Sequence, residues 1–317
     1  MNKILVFRTD RIGDFLISTP IFSSLKRKFK NCKIDIVCSN LNYDYVKSFN
    51  FFNKVFLYPD NFLNKLFFYL TLNNYDHILV LDGKNRSIYI SIFKRSAIKT
   101  LFTPSPLIKN LFKYFFNNVY FIDYNIPKID LIKNFLSNVN CDFYSIDLNF
   151  LLNYENEKHL KYKKLDSEYV ILNFDEKWIF KNYIKTYKNI EPTFKQLVNF
   201  LSILSQNNKL VIVNSFFENP LLEQLKIKKY FQANNNVVIK DKIDIFEFQS
   251  LIKYSNCLIS CHGAPSHIAS NYNIKVIDIV DNSEINFFSS YNYHFKNKVQ
   301  IVRDDFSNLS KKIIESI

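Results

Sequence analysis

Short apolar runs alternate with longer amphipathic stretches along the first half of the chain. The run at residues 4–8 predicts a strand, and residues 15–29 predict a helix whose apolar residues fall broadly on one side. Three further strands are predicted, at 33–38, 55–58 and 77–81. Strand–helix alternation of this kind is typical of parallel βαβ units.

The same alternation restarts after a polar, charge-dense stretch at residues 153–167, which predicts a linker between domains. Five strands are predicted beyond it, at 169–173, 210–214, 237–239, 258–260 and 275–279. Four helices are predicted as well, at 193–205, 245–254, 265–271 and 307–317.

The length of the chain agrees with two separate sheets. A single hydrophobic core rarely grows beyond roughly 250–300 residues, and this chain has 317. We therefore predict two open α/β domains, at 1–155 and 165–317. Ligands of such folds bind beyond the carboxyl ends of the strands, so we expect a cleft between the domains.

Composition favours a folded protein in the cytoplasm. Hydrophobic residues make up 48% of the chain, and no stretch approaches the roughly 18 apolar residues of a membrane span. The apolar run at 4–8 is too short for the core of a signal peptide. The five cysteines lack paired spacing, which predicts buried thiols, no disulfide framework and no metal site.

The formal net charge is +13. A compositional bias towards lysine and asparagine explains part of it, and nucleic acid, phosphorylated substrates or an anionic membrane would each explain the rest. The basic residues are dispersed and form no recognisable nucleic-acid module. We therefore expect a phosphate-bearing substrate, peripheral contact with the inner face of an anionic membrane, and no nucleic-acid partner.

Glycine is scarce, and its scarcity excludes several sites. Average usage would give roughly 22 glycines, whereas this chain has 3: Gly13, Gly83 and Gly263. Neither the glycine-rich dinucleotide fingerprint nor a P-loop is present, and no serine-hydrolase elbow exists. Phosphate binding would therefore use single-glycine turns and helix N-termini.

The first candidate site follows the first predicted strand. Gly13 would allow a tight turn, and Asp14 would stand in the first turn of the next helix. There Asp14 is either a group that caps the helix or a general base facing a bound hydroxyl. Arg8 and Arg11 flank it, and paired guanidiniums suit the binding of carboxylate or phosphate.

The second candidate site lies between the strand 258–260 and the helix 265–271. Gly263 would allow a close backbone approach, and the free N–H groups of the helix start would receive an anion. His262, Ser266 and His267 would add side-chain donors. The alternative is an ordinary capped turn with His267 in the core.

Three weaker candidates also follow predicted strands. Lys177 stands in a charged loop beside Trp178, and it either reaches a phosphate or is solvated while Trp178 packs. Asp82 and Arg86 either line an acceptor site or belong to a turn. Glu218 either accepts from ribose hydroxyls or caps a surface helix.

The opening segment resembles that of the lipopolysaccharide heptosyltransferases, glycosyltransferase family 9. The resemblance rests on residues 4–14, on Thr19-Pro20 and on Leu25-Lys26, which match the family's strand, G-D turn and T-P and L-K helix. Residues 263–269 match the late G-x-x-H-x-A element in part, and 175–178 resemble the K-x-W donor loop.

The resemblance implies a GT-B fold, with two Rossmann-like domains facing a central cleft, and an inverting transfer from a nucleotide-diphosphate sugar without metal or other cofactor. Asp14 matches the family's catalytic base, and Lys177 and His267 match donor-phosphate contacts. Arg11 would meet acceptor anions. The chain has no D-x-D motif, which metal-dependent GT-A enzymes commonly use.

The chain also departs from the family. His262, Gly263 and Ala264 stand where the family usually has aspartate, serine or threonine, and glycine. Since that aspartate helps to hold the donor sugar, the identity of the donor stays open.

The combined prediction is a monomeric glycosyltransferase that moves heptose or a hexose-like sugar to a lipid-linked or envelope glycan. Donor contacts are predicted at Lys177, Glu218, His262, Gly263, Ala264, Ser266 and His267, and acceptor contacts at Arg8, Arg11, Gly13, Asp82 and Arg86. A nucleotide-sugar epimerase or hydrolase and a non-catalytic nucleotide-sugar-binding protein are the alternatives.

Overall fold

A computed structural model describes residues 2–49, 51–72, 74–144, 169–180, 182–183, 185–207, 210–228, 231 and 236–317. The chain divides into two compact units. Unit 1 comprises Met1–Tyr154 and Ser289–Tyr293, and unit 2 comprises Glu155–Phe288 and His294–Ile317. The first predicted domain is the single segment 1–155, so it lacks the second segment of unit 1, Ser289–Tyr293. The predicted linker, 153–167, lies outside the described residues.

Unit 1 alternates strands and helices. Its strands are β1 Lys3–Phe7, β2 Lys33–Cys38, β3 Lys54–Leu57, β4 Tyr75–Val80, β5 Ser96–Thr103 and β6 Asn118–Phe121. Its helices are α1 Ile12–Lys28, α2 Tyr43–Lys47, α3 Phe62–Thr71, α4 Asn85–Phe93, α5 Pro106–Phe112 and α6 Lys128–Asn138. All strand pairs are parallel, in the order β3-β2-β1-β4-β5-β6.

Unit 2 repeats the pattern. Its strands are β7 Tyr169–Asn173, β8 Leu210–Ser215, β9 Val237–Asp241, β10 Cys257–Cys261, β11 Lys275–Val280 and β12 Lys298–Val302. Its α-helices are α7 Phe194–Asn207, α8 Pro220–Ile227, α9 Ile245–Lys253, α10 Ala264–Asn271, α11 Ile285–Asn292 and α12 Phe306–Glu315, and α11 ends in residues that belong to unit 1. The strands are parallel, in the order β12-β11-β10-β7-β8-β9.

Helices cover both faces of the sheet in unit 1, because successive strand residues face opposite sides. Leu101 of β5 belongs to a core cluster that includes Phe68 of α3 and Phe112 of α5. The next residue, Phe102, has its ring 5.6 Å from that of Phe135 in α6. Helix α6 in turn packs against α1.

The predicted strands and helices agree with the structure except at particular boundaries. Helix α1 begins at Ile12, three residues before its predicted start. Gly13 and Asp14 therefore lie inside the first turn of the helix, and the predicted tight turn at Gly13 is wrong. Among the three glycines, only Gly83 has a φ in the left-handed region, at 59°.

Asp35 is a buried carboxylate in β2 that depends on donated hydrogen bonds. The Tyr75 hydroxyl donates to Asp35 Oδ2 over 2.9 Å, and Asn53 Nδ2 donates to Oδ1 over 2.7 Å. Burial, together with the neighbouring Asp35 carboxylate, raises the pKa of Tyr75, which keeps the hydroxyl protonated.

We expect Tyr75→Phe to lower the free energy of unfolding by about 1–3 kcal/mol, because a buried carboxylate loses a hydrogen bond. Equilibrium unfolding in urea measures the change. Tyr114→Phe is the matched control, since Tyr114 is exposed and should change stability by less than about 0.5 kcal/mol. Equal stability of the two variants would show that Asp35 does not need the hydroxyl.

Candidate functional site

Arg8 organises the carboxyl end of β1. Its buried guanidinium donates from Nη1 to the carbonyl of Leu81, over 2.6 Å, and from Nε to the carbonyl of Asp14, over 2.8 Å. Nη2 also donates to the Asp14 carbonyl. Because these donors are used within the protein, the predicted role of Arg8 as an acceptor-binding guanidinium is corrected to a structural one.

Asp14 keeps its carboxylate available. The side chain is 26% exposed, and Oδ1 lies 3.9 Å from Arg8 Nη2. Its main-chain carbonyl accepts from Arg8 and from the Ser18 hydroxyl, but no described residue donates a hydrogen bond to the carboxylate. Arg11 occupies the N-cap position, is exposed and makes no side-chain cap, so Asp14 is not the capping group.

Asp10 is a titratable group near Asp14 that sequence reasoning missed. Its Oδ2 lies 3.2 Å from Arg8 Nη1, while its Oδ1 is buried and has no hydrogen-bond partner among the described residues. Burial raises the pKa of Asp10 to about 7, helped by the charges of Asp14 and Asp82 and opposed by those of Arg8 and Lys84. This carboxyl therefore titrates near neutral pH.

Lys128 is a second missed residue. It begins α6, which packs against α1, and the side chain is only 5% exposed. No described residue gives its ammonium an ion pair or a hydrogen bond. Burial and the charge of Arg8 lower the pKa of Lys128 to about 7, against the opposing charges of Asp14 and Asp10. An anion placed here would favour the protonated form of this amine and be bound by it.

Asp82 and Arg86 stabilise the turn after β1 by hydrogen bonds to Thr9. Asp82 Oδ2 accepts from Thr9 N, from the Thr9 hydroxyl and from the Ser87 hydroxyl, over 3.1, 2.6 and 2.7 Å. Arg86 donates to the Thr9 hydroxyl and carbonyl, over 3.0 and 2.7 Å. These two side chains therefore stabilise the turn, and their predicted role as acceptor contacts is corrected.

Gly263 separates β10 from α10 in unit 2, with Ala264 as the first helical residue. The Lys177 ammonium donates to the carbonyl of His262 over 3.0 Å and lies 3.6 Å from Asp175 Oδ2. A Cβ at Gly263 would lie 2.5 Å from Lys177 Nζ. The absence of a side chain at Gly263 is therefore what lets Lys177 reach the turn.

Asp278 of β11 contacts two residues of the turn, His262 and Ser266. The sequence did not predict this role. His262 Nδ1 lies 2.8 Å from Asp278 Oδ2, and the Ser266 hydroxyl donates to Oδ1 over 2.8 Å. Ser266 is fully buried, so its predicted donation to a diphosphate is corrected to this internal bond. No described residue hydrogen bonds to His262 Nε2.

His267 lies in the interior, as the alternative interpretation of the turn expected. Its ring centroid is 5.3 Å from that of His262, 5.9 Å from that of His294 and 5.2 Å from that of Phe295. Its Nδ1 is buried without a partner among the described residues. Burial, then the neighbouring histidines and Lys177, holds the pKa of His267 well below its usual value.

A buried polar ladder fixes the loop that carries Lys177. Asn214 Nδ2 donates to Asn173 Oδ1 over 2.9 Å, and Asn173 Nδ2 donates to the Ser260 hydroxyl over 3.0 Å. Asn173 Nδ2 also donates to Asp175 Oδ2 over 3.1 Å. Neighbouring strands β8, β7 and β10 are thereby joined at their carboxyl ends, directly below the Lys177 loop. Trp178 is fully buried there.

An open cavity of about 170 Å³ adjoins the turn within unit 2. Its lining includes Lys177, His262 and Arg303, a further residue that sequence reasoning missed. Arg303 Nη2 donates to the carbonyl of Lys177 over 2.8 Å, and its guanidinium lies 5.2 Å from the Tyr187 ring centroid. Arg303 follows β12, a strand that the apolar pattern did not predict.

Glu218 is exposed and pairs with Lys242 over 2.5 Å. The helix cap next to it is made by Asn219, whose side chain accepts from Leu221 N. Glu218 is not among the residues that line the cavity, so the structure brings no support for its predicted ribose contact.

The described residues have neither a cluster of metal ligands nor a membrane-spanning helix. They contain no group of three or more histidine, cysteine, aspartate or glutamate side chains placed to hold a metal ion. None of their helices is long and apolar enough to cross a membrane.

No family model and no curated protein matches the sequence. Solved structures match it over nearly its whole length. The glycosyl transferase family 9 structure from Veillonella parvula DSM 2008 has a TM-score of 0.71 at 12% identity, over 99% of this chain and 91% of that one. The E. coli heptosyltransferase WaaC with ADP-2-deoxy-2-fluoro heptose has a TM-score of 0.71 at 13% identity, over 99% and 100%.

A UDP-GlcNAc 2-epimerase from Methanocaldococcus jannaschii is less similar, with a TM-score of 0.58 at 12% identity, over 100% of this chain and 91% of that one. Identities this low show a shared fold. The predicted α/β fold of the GT-B kind, with two Rossmann-like units, is confirmed. The predicted resemblance to heptosyltransferases is confirmed at the level of the fold.

The contacts of His267 with His262 and His294 predict that unit 2 loses stability in acid. Burial lowers the pKa of His294 to about 4 and also lowers that of His267. The folded protein keeps both rings neutral, whereas the unfolded chain protonates them below about pH 6.5. Unfolding therefore takes up protons, and stability falls as the pH drops from about 6.5 towards 4.

We expect His294→Phe to reduce this slope by about 1.4 kcal/mol per pH unit, because one titrating group is removed. Urea unfolding followed by fluorescence of Trp178, the only tryptophan, gives the slope between pH 6 and 5. Tyr293→Phe removes an exposed neighbour and should leave the slope unchanged. An unaltered slope in His294→Phe would show that the His294 ring is not held neutral in the folded protein.

Proposed function

We propose that this protein is an inverting glycosyltransferase that moves a sugar from a nucleotide-diphosphate donor to a hydroxyl of an envelope or lipopolysaccharide-type glycan. The observation that carries the proposal is the turn at Gly263, where Lys177 reaches a helix start through the space that a side chain would fill. The transferred sugar would be heptose or another hexose-like sugar, and the reaction would take place in the cytoplasm.

The donor diphosphate would bind beside Lys177 and the N-terminus of α10. A lysine ammonium and free helix N–H groups are a common pair of phosphate ligands. Arg303 and His262, which line the adjoining cavity, add further donors there. The similar structure of WaaC contains an ADP-sugar analogue, which supports a nucleotide-sugar donor for this chain.

Asp14 would act as the general base. Its carboxylate removes the proton of the acceptor hydroxyl as the oxygen forms a bond to the anomeric carbon of the donor sugar. The bond from that carbon to the diphosphate oxygen breaks, and the electron pair leaves with the nucleotide diphosphate. One direct displacement inverts the anomeric configuration. Lys177 and Arg303 would balance the charge of the leaving group, so the reaction would need no metal ion.

Arg8 would position the base without touching the substrate, because it holds the main chain at Asp14. The unpaired ammonium of Lys128 would receive an anionic group of the acceptor. Charged groups that a protein leaves buried and unpaired are costly, so a ligand that pairs with Lys128 would gain binding free energy.

The second candidate is an epimerase or hydrolase acting on a nucleotide sugar without an acceptor, which the likeness to the UDP-GlcNAc 2-epimerase favours. The two candidates differ in their products. A transferase consumes the donor only when an acceptor hydroxyl is present, whereas the epimerase or hydrolase converts the donor alone.

We expect one class among ADP-, UDP-, GDP-, CMP- and dTDP-sugars to raise the melting temperature. A ligand at a hundred times its Kd stabilises the folded state by about 2.7 kcal/mol. Gly263→Ala should weaken this binding by about 10- to 100-fold, because the new Cβ displaces Lys177 and a charge-assisted hydrogen bond is lost. The extended φ of 170° at Gly263 accommodates alanine, so the variant should fold.

A double-mutant cycle with Lys177→Met isolates the cause. In the Lys177→Met background, Gly263→Ala should add nothing further, since the ammonium is already gone. A full additional loss in that background would mean that Gly263 acts on the ligand independently of Lys177. No stabilisation by any nucleotide class would remove the donor site from the proposal.

We expect Asp14→Asn to abolish transfer and to leave donor binding unchanged, because the amide cannot accept the acceptor proton. Product formation and the donor-induced rise in melting temperature are measured on the same preparation. Asp76→Asn, at the amino end of β4 and so at the opposite edge of the sheet, is the control and should retain transfer. Turnover of Asp14→Asn near that of the unmodified protein would exclude Asp14 as the base.

A further inference from the structure

Helices α3, α4 and α5 of unit 1 expose large apolar side chains to solvent. Leu63, Phe67, Leu70, Phe93, Leu107 and Leu111, which we call the apolar face, are each between 65% and 81% exposed. Single exposed apolar residues are ordinary, but a continuous patch of this kind marks a binding surface.

Contacts join the three helices that carry the apolar face. The Tyr69 hydroxyl of α3 donates to the carbonyl of Phe93 at the end of α4 over 2.8 Å. Lys94 returns a bond to the carbonyl of Tyr69 over 3.0 Å. The ring of Tyr89 in α4 lies 6.1 Å from that of Phe112 in α5. Contacts therefore link α3 to α4 and α4 to α5.

The apolar face is not the inner face of these helices. Phe68 of α3, Ile88 of α4 and Phe112 of α5 already pack into the core of unit 1. Leu63, Phe67 and Leu70 follow one another at spacings of four and three, so they form a second stripe on α3. Helix α3 is thus apolar on two sides, and only one of them is covered by the core.

Basic residues predominate on the helices that carry the apolar face. Residues 84–122, which include α4 and α5, contain seven basic and no acidic residues. Residues 61–75, which include α3, contain one lysine and no acidic residue. Arg95, Lys109 and Lys113 are exposed. A surface of apolar side chains with exposed lysine and arginine residues beside them is complementary to lipid headgroups that carry negative charge.

We propose that the apolar face docks this protein on the surface of a lipid bilayer rich in anionic headgroups. The leucine and phenylalanine side chains enter the boundary between headgroups and acyl chains, while the lysine and arginine side chains stay among the phosphates. A second copy of the chain fits this surface poorly, because it would bring two purely basic stretches together. The inference is independent of the proposed reaction.

The experiment is co-sedimentation of the full chain with vesicles, without donor or acceptor. We expect binding to vesicles that contain phosphatidylglycerol and much weaker binding to phosphatidylcholine alone. Lys109→Gln with Lys113→Gln should weaken binding roughly 25-fold, at about fivefold per lysine. Phe67→Ser with Leu107→Ser should weaken it by at least about tenfold, because the buried apolar area is lost.

Matched controls separate docking from general effects. Ile227→Ser replaces an exposed apolar residue of unit 2, and Lys133→Gln replaces an exposed lysine paired with Asp130. Both should bind vesicles like the unmodified protein. All the variants replace exposed side chains, so their melting temperatures should stay within the range of surface substitutions.

A fluorescent reporter gives a second measurement. Phe67→Trp should add emission that shifts to shorter wavelength on phosphatidylglycerol vesicles, because the new ring enters an apolar medium. The unmodified protein, whose single tryptophan Trp178 is buried, gives the background signal. Equal binding to both kinds of vesicle, or loss of binding in the control variants alone, would overturn the proposal. A second result would also overturn it. In that case the unmodified protein sediments as a dimer, the Phe67→Ser, Leu107→Ser variant sediments as a monomer, and the variant still binds vesicles.

Discussion

The buried guanidinium of Arg8 is the interaction on which the edge of unit 1 depends. Planar and always charged, it reaches the carbonyl groups of Leu81 and Asp14 from one point. It thereby fixes the end of β4 and the start of α1 relative to β1. Such a charge is costly to bury unless it is paired and hydrogen-bonded. The neighbouring Asp10, at 3.2 Å, supplies the pairing carboxylate.

The fold could be predicted because most strands of a parallel sheet are covered on both faces and read as continuous apolar runs. Strands β1, β4, β7 and β10 are of this kind, and each is largely or fully buried. Strands β5, β6 and β12 were missed. Each of these strands includes polar residues, so none contains a continuous apolar run. Strands β5 and β12 begin with half-exposed residues, and β6 lies at the edge of its sheet.

The candidate site could be predicted where its residues are neighbours in the sequence. The position of Asp14, near the start of the helix that follows β1, and the turn at Gly263 follow from local pattern. Other contacts do not follow from it. Within unit 1, Lys128 lies on α6, which packs against α1. Within unit 2, Arg303 contacts Lys177 and Asp278 contacts His262. In each unit, parallel topology brings such residues together from distant parts of the chain. Sequence alone also could not show that Ser266 and Asp82 use their polar atoms internally, since that depends on packing.

The return of Ser289–Tyr293 to unit 1 has a consequence for synthesis. Ribosomes release a chain from its amino end, and amino-terminal domains generally fold first. Here the last piece of unit 1, which includes Tyr291 with its ring 5.6 Å from the Lys128 ammonium, emerges only after Glu155–Phe288 has been made. Nascent unit 1 must therefore wait in an incomplete form until Ser289–Tyr293 has been made.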